Sequence, residues 1–245
     1  WLQSGVESFD EMTNIPLNLR QKLEDISYIA TVKALRRYVS KIDGTVKYVY
    51  ELFDGELIES VLMKYEHGYT VCISTQVGCR MGCKFCASGI YGLTRNLTAS
   101  EMLAQITYAQ RDNNIRVSNI VMMGMGEPLD NFENAMKFLS LVGDENGLNL
   151  GMRNISLSTC GIVPKIYELM DKELQITLSV SLHAPEDELR SKIMPINRKY
   201  HLEELIEACK KYTKKTSRRI SFEYAMISGL NDTPECAAKL ASLLK

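Results

Sequence analysis

The chain has 245 residues, of which 45% are hydrophobic and 24% are charged. This balance is that of an ordinary folded protein, and it excludes a disordered or low-complexity chain. No uninterrupted apolar run approaches the roughly 20 residues that a membrane-spanning helix needs. The 29 basic and 30 acidic residues give a formal net charge of −1. A nucleic-acid partner would therefore have to bind a local basic patch, because the chain has no overall positive field.

The amino-terminal residues and the cysteine content indicate the cellular compartment. The opening string WLQSGVESFDEM lacks the basic leader and apolar core of a signal peptide. We therefore expect no secretion, a cytoplasmic location and no membrane partner. Seven cysteines are an odd number and do not suit a disulfide framework in such a chain. Because the first residue is Trp1 and not Met, we also expect the natural beginning of the protein to be absent.

Residues 1–66 predict an amino-terminal accessory domain of helix and strands. Thr13 or Asn14 is a candidate helix cap, and Pro16 and a leucine-rich stretch at near-helical spacing follow it. Two Asp-Gly pairs, at 43–44 and 54–55, interrupt runs of alternating residues and are strong hairpin signals. We predict a short helical piece followed by an antiparallel meander.

Residues 67–245 predict a core domain in which strands alternate with helices. This alternation is typical of βαβ units and a parallel sheet, and so of an α/β fold. Five strands are too few for a closed eight-stranded barrel, which leaves an incomplete barrel or an open sheet. The predicted strands are 69–75, 119–125, 154–160, 175–183 and 218–227, and the predicted helices are 98–113, 131–142, 162–172, 201–215 and 232–244.

Polar and glycine-rich segments follow the first four predicted strands. They are GCRMGCKFC, GEPLDN, GIVP and the tripeptide beginning at His183. The carboxyl ends of parallel strands meet at one edge of a sheet, and active sites collect there. The sequence therefore predicts a functional site at this edge, which we call the rim.

Cys79, Cys83 and Cys86 form a C-x-x-x-C-x-x-C pattern in the first of these segments. Thiolates are soft ligands that select zinc or iron–sulfur clusters. A structural zinc site uses four ligands, usually as two C-x-x-C pairs, whereas a [4Fe–4S] cluster on three cysteines leaves one iron open for another ligand. Gly78 and Gly82 would let the loop turn tightly. A zinc knuckle, or an iron–sulfur electron carrier with a fourth ligand, remains an alternative.

The cysteine pattern after the first strand resembles the radical S-adenosylmethionine (SAM) superfamily, whose fold is a partial (β/α)6 TIM-like barrel. Three longer strings resemble more narrowly the RlmN/Cfr family of RNA adenine methyltransferases: CISTQVGCRMGCKFCASGIYGLTRNLTASEM, MMGMGEPLDNFENAM and SVSLHAPEDELRSKIMPINRKY. The resemblance runs from about Ser8 to Lys245. It implies that the open iron of a [4Fe–4S] cluster binds SAM and that reductive cleavage gives a 5′-deoxyadenosyl radical.

The resemblance also implies roles for individual residues. Cys79, Cys83 and Cys86 match the cluster ligands. Taken alone, the GMGEP string is typical of an ordinary strand-to-helix turn. His183, taken alone, is typical of a structural histidine. The positions that match SAM contacts are Gly126, Glu127, Ser158, Ser181, Leu182 and His183.

Cys72 and Glu59 match two further positions of the family, a catalytic cysteine and a proton acceptor. In the family, one SAM methylates a second cysteine near the carboxyl terminus. The radical from another SAM abstracts a hydrogen atom from that methyl group, and the carbon radical adds to adenine. The strand cysteine then forms a disulfide that releases the methylated RNA. A buried small side chain and a solvated glutamate are the structural alternatives for these two residues.

No cysteine of this chain matches the methyl-carrying cysteine of the family. We expect Cys160, Cys209 and Cys236 to be packing residues. We therefore expect the last barrel strand and the carboxyl-terminal segment of the family to lie outside this chain, which would then hold a cluster but not complete methyl transfer.

The resemblance implies methylation of adenine C2 in 23S rRNA, and of tRNA in some members, by a monomer that receives electrons from a donor such as flavodoxin. Alternatives are Cfr-type methylation of adenine C8, which gives antibiotic resistance, and a different radical SAM enzyme such as an activase or maturase. Basic stretches at 33–41 and 210–219 are candidate phosphate contacts. A solvated helix face is the alternative for the second stretch.

Overall fold

The structure, a computed structural model, describes residues 5–245 and begins with a helix and an antiparallel meander. Both hairpin turns of the meander lie at the predicted Asp-Gly pairs. The predicted helix cap is wrong, because Pro16 with its extended ψ of 145° stands directly before the helix and no side chain caps it. The elements are α1 (Leu17–Ile26), β1 (Lys33–Val39), β2 (Val46–Glu51) and β3 (Leu57–Tyr65).

The rest of the described chain contains all five predicted strands and all five predicted helices. A small hairpin and a short helix were not predicted. The elements are β4 (Gly68–Cys72), β5 (Gln76–Gly78), β6 (Leu93–Asn96), α2 (Ala99–Asn113), β7 (Val117–Met122), α3 (Phe132–Gly143), β8 (Ile155–Thr159), α4 (Val163–Asp171), β9 (Thr177–Ser181), α5 (Asp187–Ile193), α6 (Leu202–Thr216), β10 (Ile220–Glu223) and α7 (Pro234–Leu243).

One continuous sheet carries both the meander and the parallel strands, in the order β1-β2-β3-β4-β7-β8-β9-β10. Strand β4 pairs antiparallel with β3 and parallel with β7, so it joins the two halves. The remaining strands, β7 to β10, are parallel to their neighbours. The predicted domain boundary at residues 66 and 67 falls in the turn between β3 and β4, and it stays a prediction.

The two faces of the parallel strands differ in chemistry. Leu157 and Leu178 are paired neighbours on the outer face and are fully buried, as is Val180. Each such side chain contributes about 1.5–3 kcal/mol when it is removed from water. The opposite, inner face is polar, because Ser158 pairs with Ser179 and Ser181 pairs with Glu223. The hydrophobic core therefore lies outside the sheet, and the inner face leads to the rim through hydroxyl and carboxyl groups.

Four of the predicted strands extend beyond the observed carboxyl ends by two to four residues. The chain leaves the sheet early at these points because it turns to build the rim. His183 has a φ of 55°, and Gly126 has a φ of 105°, and neither value is compatible with a strand. Within residues 5–245, no helix is long and apolar enough to cross a membrane.

Helix α2 offers a test of how its amino terminus is held. The Thr98 hydroxyl accepts from the Glu101 N–H at 3.2 Å, and the Glu101 carboxylate accepts from the Thr98 N–H at 2.9 Å. We expect Thr98→Ala to lower the free energy of unfolding by about 1 kcal/mol, because it removes this reciprocal cap. Thr98→Ser keeps the hydroxyl and should retain most of the free energy of unfolding that the cap contributes. Urea denaturation measures both, and equal losses in the two variants would contradict the capping role.

Candidate active site

The three cysteines lie on a loop held at its base by the β5–β6 hairpin. The Cys79 N–H donates to the Gly92 carbonyl at 2.9 Å. Gly78 has a φ of 74°, and a Cβ there would stand 2.0 Å from the same Gly92 oxygen. Only glycine fits such a close approach, so the spacing between strand and cysteines is fixed by the backbone.

The thiols of Cys79, Cys83 and Cys86 are free, and they differ in burial from buried to exposed. Burial raises the pKa of Cys79 to about 11 and that of Cys83 to about 12, and the neighbouring thiols and Glu127 act in the same direction. The three sulfurs thus lie close enough to influence one another. This loop has few compensating cations, so it favours a positively charged group that would stabilise the thiolates.

Thiolates of one loop suit a multi-iron cluster better than a single ion. Within residues 5–245, no three His, Cys, Asp or Glu side chains are placed to hold one metal ion. A cluster requires ligand sulfurs that are farther apart, because each thiolate binds a different iron. The donor set of three soft thiols, with Gly78 and Gly82 at positive φ, fits such a group.

The cysteine loop is docked against the end of β9 and the segment after it. The rings of Phe85 and His183 meet edge to face with centroids 4.8 Å apart. The Lys84 N–H donates to the Ile193 carbonyl at 2.8 Å. These contacts bring residues predicted as cluster ligands and as SAM contacts to the same part of the rim.

Gln76 connects the cysteine loop to the loop that follows β7. Its amide nitrogen donates to Asn96 at 2.8 Å and to Asp130 at 2.9 Å, and its amide oxygen accepts from the Glu127 N–H at 2.9 Å. Arg80, between the first two cysteines, donates to the same Asp130 carboxylate. Gln76 was not predicted as a site residue, because one buried amide in a strand carries no pattern.

Glu127 is a buried carboxyl group without a cation. It is 4% exposed and accepts from the main-chain N–H groups of Cys160 at 2.7 Å and Leu129 at 3.0 Å. No ion pair within residues 5–245 involves it, and burial raises its pKa. An ammonium group from a ligand would supply the missing charge.

The two glycines of the GMGEP string have a packing reason of their own. A Cβ at Gly124 would lie 2.7 Å from the Ile73 carbonyl oxygen, and one at Gly126 would lie 2.6 Å from the Gln76 Cβ. The loop therefore lies directly on the segment between β4 and β5. The SAM contact predicted for Gly126 stays a prediction, because the close approach seen here is to the protein itself.

The predicted SAM contacts at the ends of β8 and β9 come together through a residue of β10. The hydroxyls of Ser158 and Ser181 both donate to the same Glu223 carboxylate oxygen, each at 3.1 Å. Glu223 was not predicted as a site residue. It lies in the middle of the predicted strand 218–227, and only the structure makes it the last residue of β10.

His183 is neutral and has a defined tautomer. Its Nδ1 accepts from the Ala225 N–H at 2.9 Å, so its proton lies on Nε2. Burial, and then the nearby charge of Arg190, lower its pKa to about 4. At neutral pH this side chain is therefore an N–H donor and not a cation.

Arg190 is fully buried and joins the ends of two strands. Its guanidinium donates to the carbonyls of Cys160 at 2.8 Å, Ser181 at 2.9 Å and Leu182 at 3.1 Å, and to the Asn197 side chain at 2.9 Å. Among residues 5–245, no carboxylate forms an ion pair with it, and burial lowers its pKa. This role was not predicted from the sequence, since one arginine in a charged helix is ordinary.

A family model, that of the radical SAM superfamily, matches residues 73–241. The chain belongs to this superfamily. This membership implies SAM and an iron–sulfur cluster as cofactors. That the cysteine loop holds the cluster stays a prediction.

Radical SAM relatives match the chain over its whole length. Two proteins named probable dual-specificity RNA methyltransferase RlmN, from Clostridium novyi and Clostridioides difficile, are 53% and 54% identical to it. The alignments cover 100% of this chain and 72% and 71% of those relatives. A crystal structure of a radical SAM methyltransferase from Sphaerobacter thermophilus matches with a TM-score of 0.95 and 44% identity, over 100% of this chain and 72% of that one. The predicted α/β radical SAM fold is confirmed, and so is the predicted SAM-dependent RNA methyltransferase of the RlmN type.

Cys72 and Glu59 lie on the same face of this radical SAM sheet. Cys72 ends β4 and pairs with Val61 of β3, two residues after Glu59. The Ser74 hydroxyl, two residues after Cys72, donates to the Glu59 carbonyl at 2.6 Å. The Glu59 carboxylate forms an ion pair with Lys47 at 2.6 Å and is half exposed. The catalytic roles of both residues stay predictions.

The two basic stretches have different surroundings. In the stretch 210–219, Lys211 and Lys215 pair with Glu207 and Asp171, and the end of α6 leads into the start of β10, opposite the rim. This stretch is a solvated helix face. The stretch 33–41 forms the exposed edge strand β1, three strands from β4.

Arg190 offers a test of how the rim is held. We expect Arg190→Met to lower the free energy of unfolding by about 4 kcal/mol, because several buried acceptors lose their donor. Urea denaturation measures this loss. Arg198→Met, on the exposed surface of the same segment, is the matched control and should change stability little. A small loss for Arg190→Met would contradict the role assigned to the guanidinium.

The Cys72 thiol has a pH dependence that can be measured. Burial raises its pKa to about 11, so the reactive thiolate is scarce at neutral pH and increases until the pH approaches that value. We expect its rate of alkylation by iodoacetamide, followed by peptide mass spectrometry, to rise steadily from about pH 7 to 10. A free cysteine peptide levels off near its ordinary pKa of about 8.5. A similar plateau for Cys72 would contradict the burial effect.

Proposed function

We propose that this chain, a SAM-dependent RNA methyltransferase, methylates C2 of adenine in 23S rRNA, with tRNA as a second substrate. The observation that carries the proposal is the placement of three free cysteines beside a buried carboxyl group that has no cation. The printed names of the relatives, which are those of dual-specificity RNA methyltransferases, support the substrate class.

Cys79, Cys83 and Cys86 would hold a [4Fe–4S] cluster with one iron open to SAM. Together with SAM, this cluster supplies a 5′-deoxyadenosyl radical. Glu127 accepts from the ammonium group of SAM, which provides the cation that its buried carboxylate lacks. The neutral His183 presents its Nε2–H to the ligand.

Cys72 and Glu59 would act on the RNA side of the reaction. Because the Cys72 thiol is protonated at neutral pH, it must lose a proton before it attacks a sulfur atom. The Glu59 carboxylate, on the same sheet face, is the proposed proton acceptor. In the proposed sequence a second, methyl-carrying cysteine forms the covalent adduct with adenine, and Cys72 releases the product by forming a disulfide with that cysteine.

The exposed edge strand β1 is the proposed RNA contact within residues 1–66. Tyr38 is 50% exposed there, and the Arg36 guanidinium donates to its hydroxyl at 3.3 Å. Arginine and an adjacent aromatic ring suit a phosphate and an unstacked base. We further propose a cytoplasmic monomer that takes electrons from a donor such as flavodoxin.

Anaerobic reconstitution with iron and sulfide, followed by reduction and EPR spectroscopy, tests the proposal. We expect a [4Fe–4S] signal that changes when SAM is added, because SAM binds the open iron. Cys79→Ala, Cys83→Ala and Cys86→Ala should each abolish the signal. Cys236→Ser is the matched control and should retain it, because Cys236 lies on α7, outside the cysteine loop.

A cluster whose EPR signal does not respond to SAM would overturn the proposal in favour of an electron carrier. Adenine C8 is the alternative target. Mass spectrometry of nucleosides from RNA that a competent enzyme has modified separates 2-methyladenosine from 8-methyladenosine.

A further inference from the structure

Glu223, a single residue of β10, is hydrogen-bonded to several of the residues predicted to contact SAM. Its Oε2 accepts from both Ser158 and Ser181 at 3.1 Å. Its main-chain carbonyl accepts from the N–H groups of Leu182 at 3.0 Å and His183 at 3.2 Å. One residue of β10 is thus bonded to four residues that the resemblance assigns to SAM.

The Glu223 side chain also has an unused acceptor. Within residues 5–245, neither a hydrogen bond nor an ion pair reaches its Oε1, and the side chain is half-buried on the polar inner face. A carboxylate is an acceptor only, so this oxygen suits a hydroxyl or amino group of a ligand. The two serine donors on Oε2 fix the orientation of the carboxylate before the ligand arrives.

The hydrogen-bond donors of SAM limit which group of the ligand can bind the Glu223 Oε1. SAM carries an ammonium group, two ribose hydroxyls and the adenine amine. Glu127, buried and without a cation, is the better site for the ammonium. The half-buried Glu223 carboxylate already accepts from two serine hydroxyls. It is suited to the ribose hydroxyls, which are neutral donors and need an acceptor but no counterion.

We propose that Glu223 is a further SAM-binding residue, whose Oε2 orients Ser158 and Ser181 and whose Oε1 accepts a hydrogen bond from a ribose hydroxyl of SAM. This inference rests on the proposed function, because it takes SAM to be the ligand of the rim. It adds a fourth strand, β10, to the SAM site, which the sequence strings placed after β7, β8 and β9.

Glu223→Gln is the informative variant. The amide oxygen takes the place of Oε2 and still accepts from the serines, whereas the amide nitrogen replaces Oε1 with a donor. We expect the cluster-loaded variant to bind SAM and 5′-deoxyadenosine at least about 10-fold more weakly in equilibrium dialysis, since a charged acceptor for a hydroxyl is lost. Methionine, which lacks the ribose, should bind unchanged. Glu203→Gln, on the exposed face of α6, is the control and should match the wild type.

A second measurement removes the hydroxyl from the ligand. The wild type should bind 2′,5′-dideoxyadenosine or 3′,5′-dideoxyadenosine more weakly than 5′-deoxyadenosine, and Glu223→Gln should show no further loss for the same analogue. Unchanged SAM binding by Glu223→Gln, or an equal loss for methionine, would overturn the inference while the proposed function stands. A wild-type protein that binds no SAM would overturn the proposed function and the inference with it.

Discussion

The rim depends on two buried charged groups that meet at Cys160. The Glu127 carboxyl accepts from the Cys160 N–H, and the Arg190 guanidinium donates to the Cys160 carbonyl. Removing a charged group from water costs several kcal/mol, so each group persists only because polar partners surround it. Arg190 also bonds the end of β9, and Glu127 belongs to the loop after β7. The ends of three strands are thereby held in one arrangement.

The same arrangement gives the rim an unbalanced charge. Three thiols and the Glu127 carboxyl lie near one another. Burial raises the pKa values of Cys79, Cys83 and Glu127, and repulsion by neighbouring groups adds to the rise for the two thiols. Arg190 is the nearby cation, but carbonyl and amide groups already occupy its donors. A site of this kind is stabilised by a ligand that brings positive charge, as iron, an ammonium group and a sulfonium group do.

Strand β4 links this rim to the amino-terminal meander. It is the last antiparallel strand and the first parallel one, and Cys72 is its final residue. Glu59 reaches the same face only because β3 pairs with β4 in the register that sets Val61 opposite Cys72. A shift of one residue would turn Glu59 to the other face. The meander is therefore part of the surroundings of the site, besides being a candidate surface for RNA.

The sequence by itself determined the order of strands and helices, the Asp-Gly hairpins and the cysteine loop, because periodicity, turn residues and ligand spacing are local properties. It also indicated the rim, since every parallel strand ends on the same edge. Only the tertiary structure decided which distant side chains meet there. Glu223 is 65 residues from Ser158 and 42 from Ser181, and Arg190 is 30 residues from Cys160. Such contacts depend on which strands are neighbours and in what register, and the raised or lowered pKa values depend on burial. Neither is encoded in any short stretch of sequence.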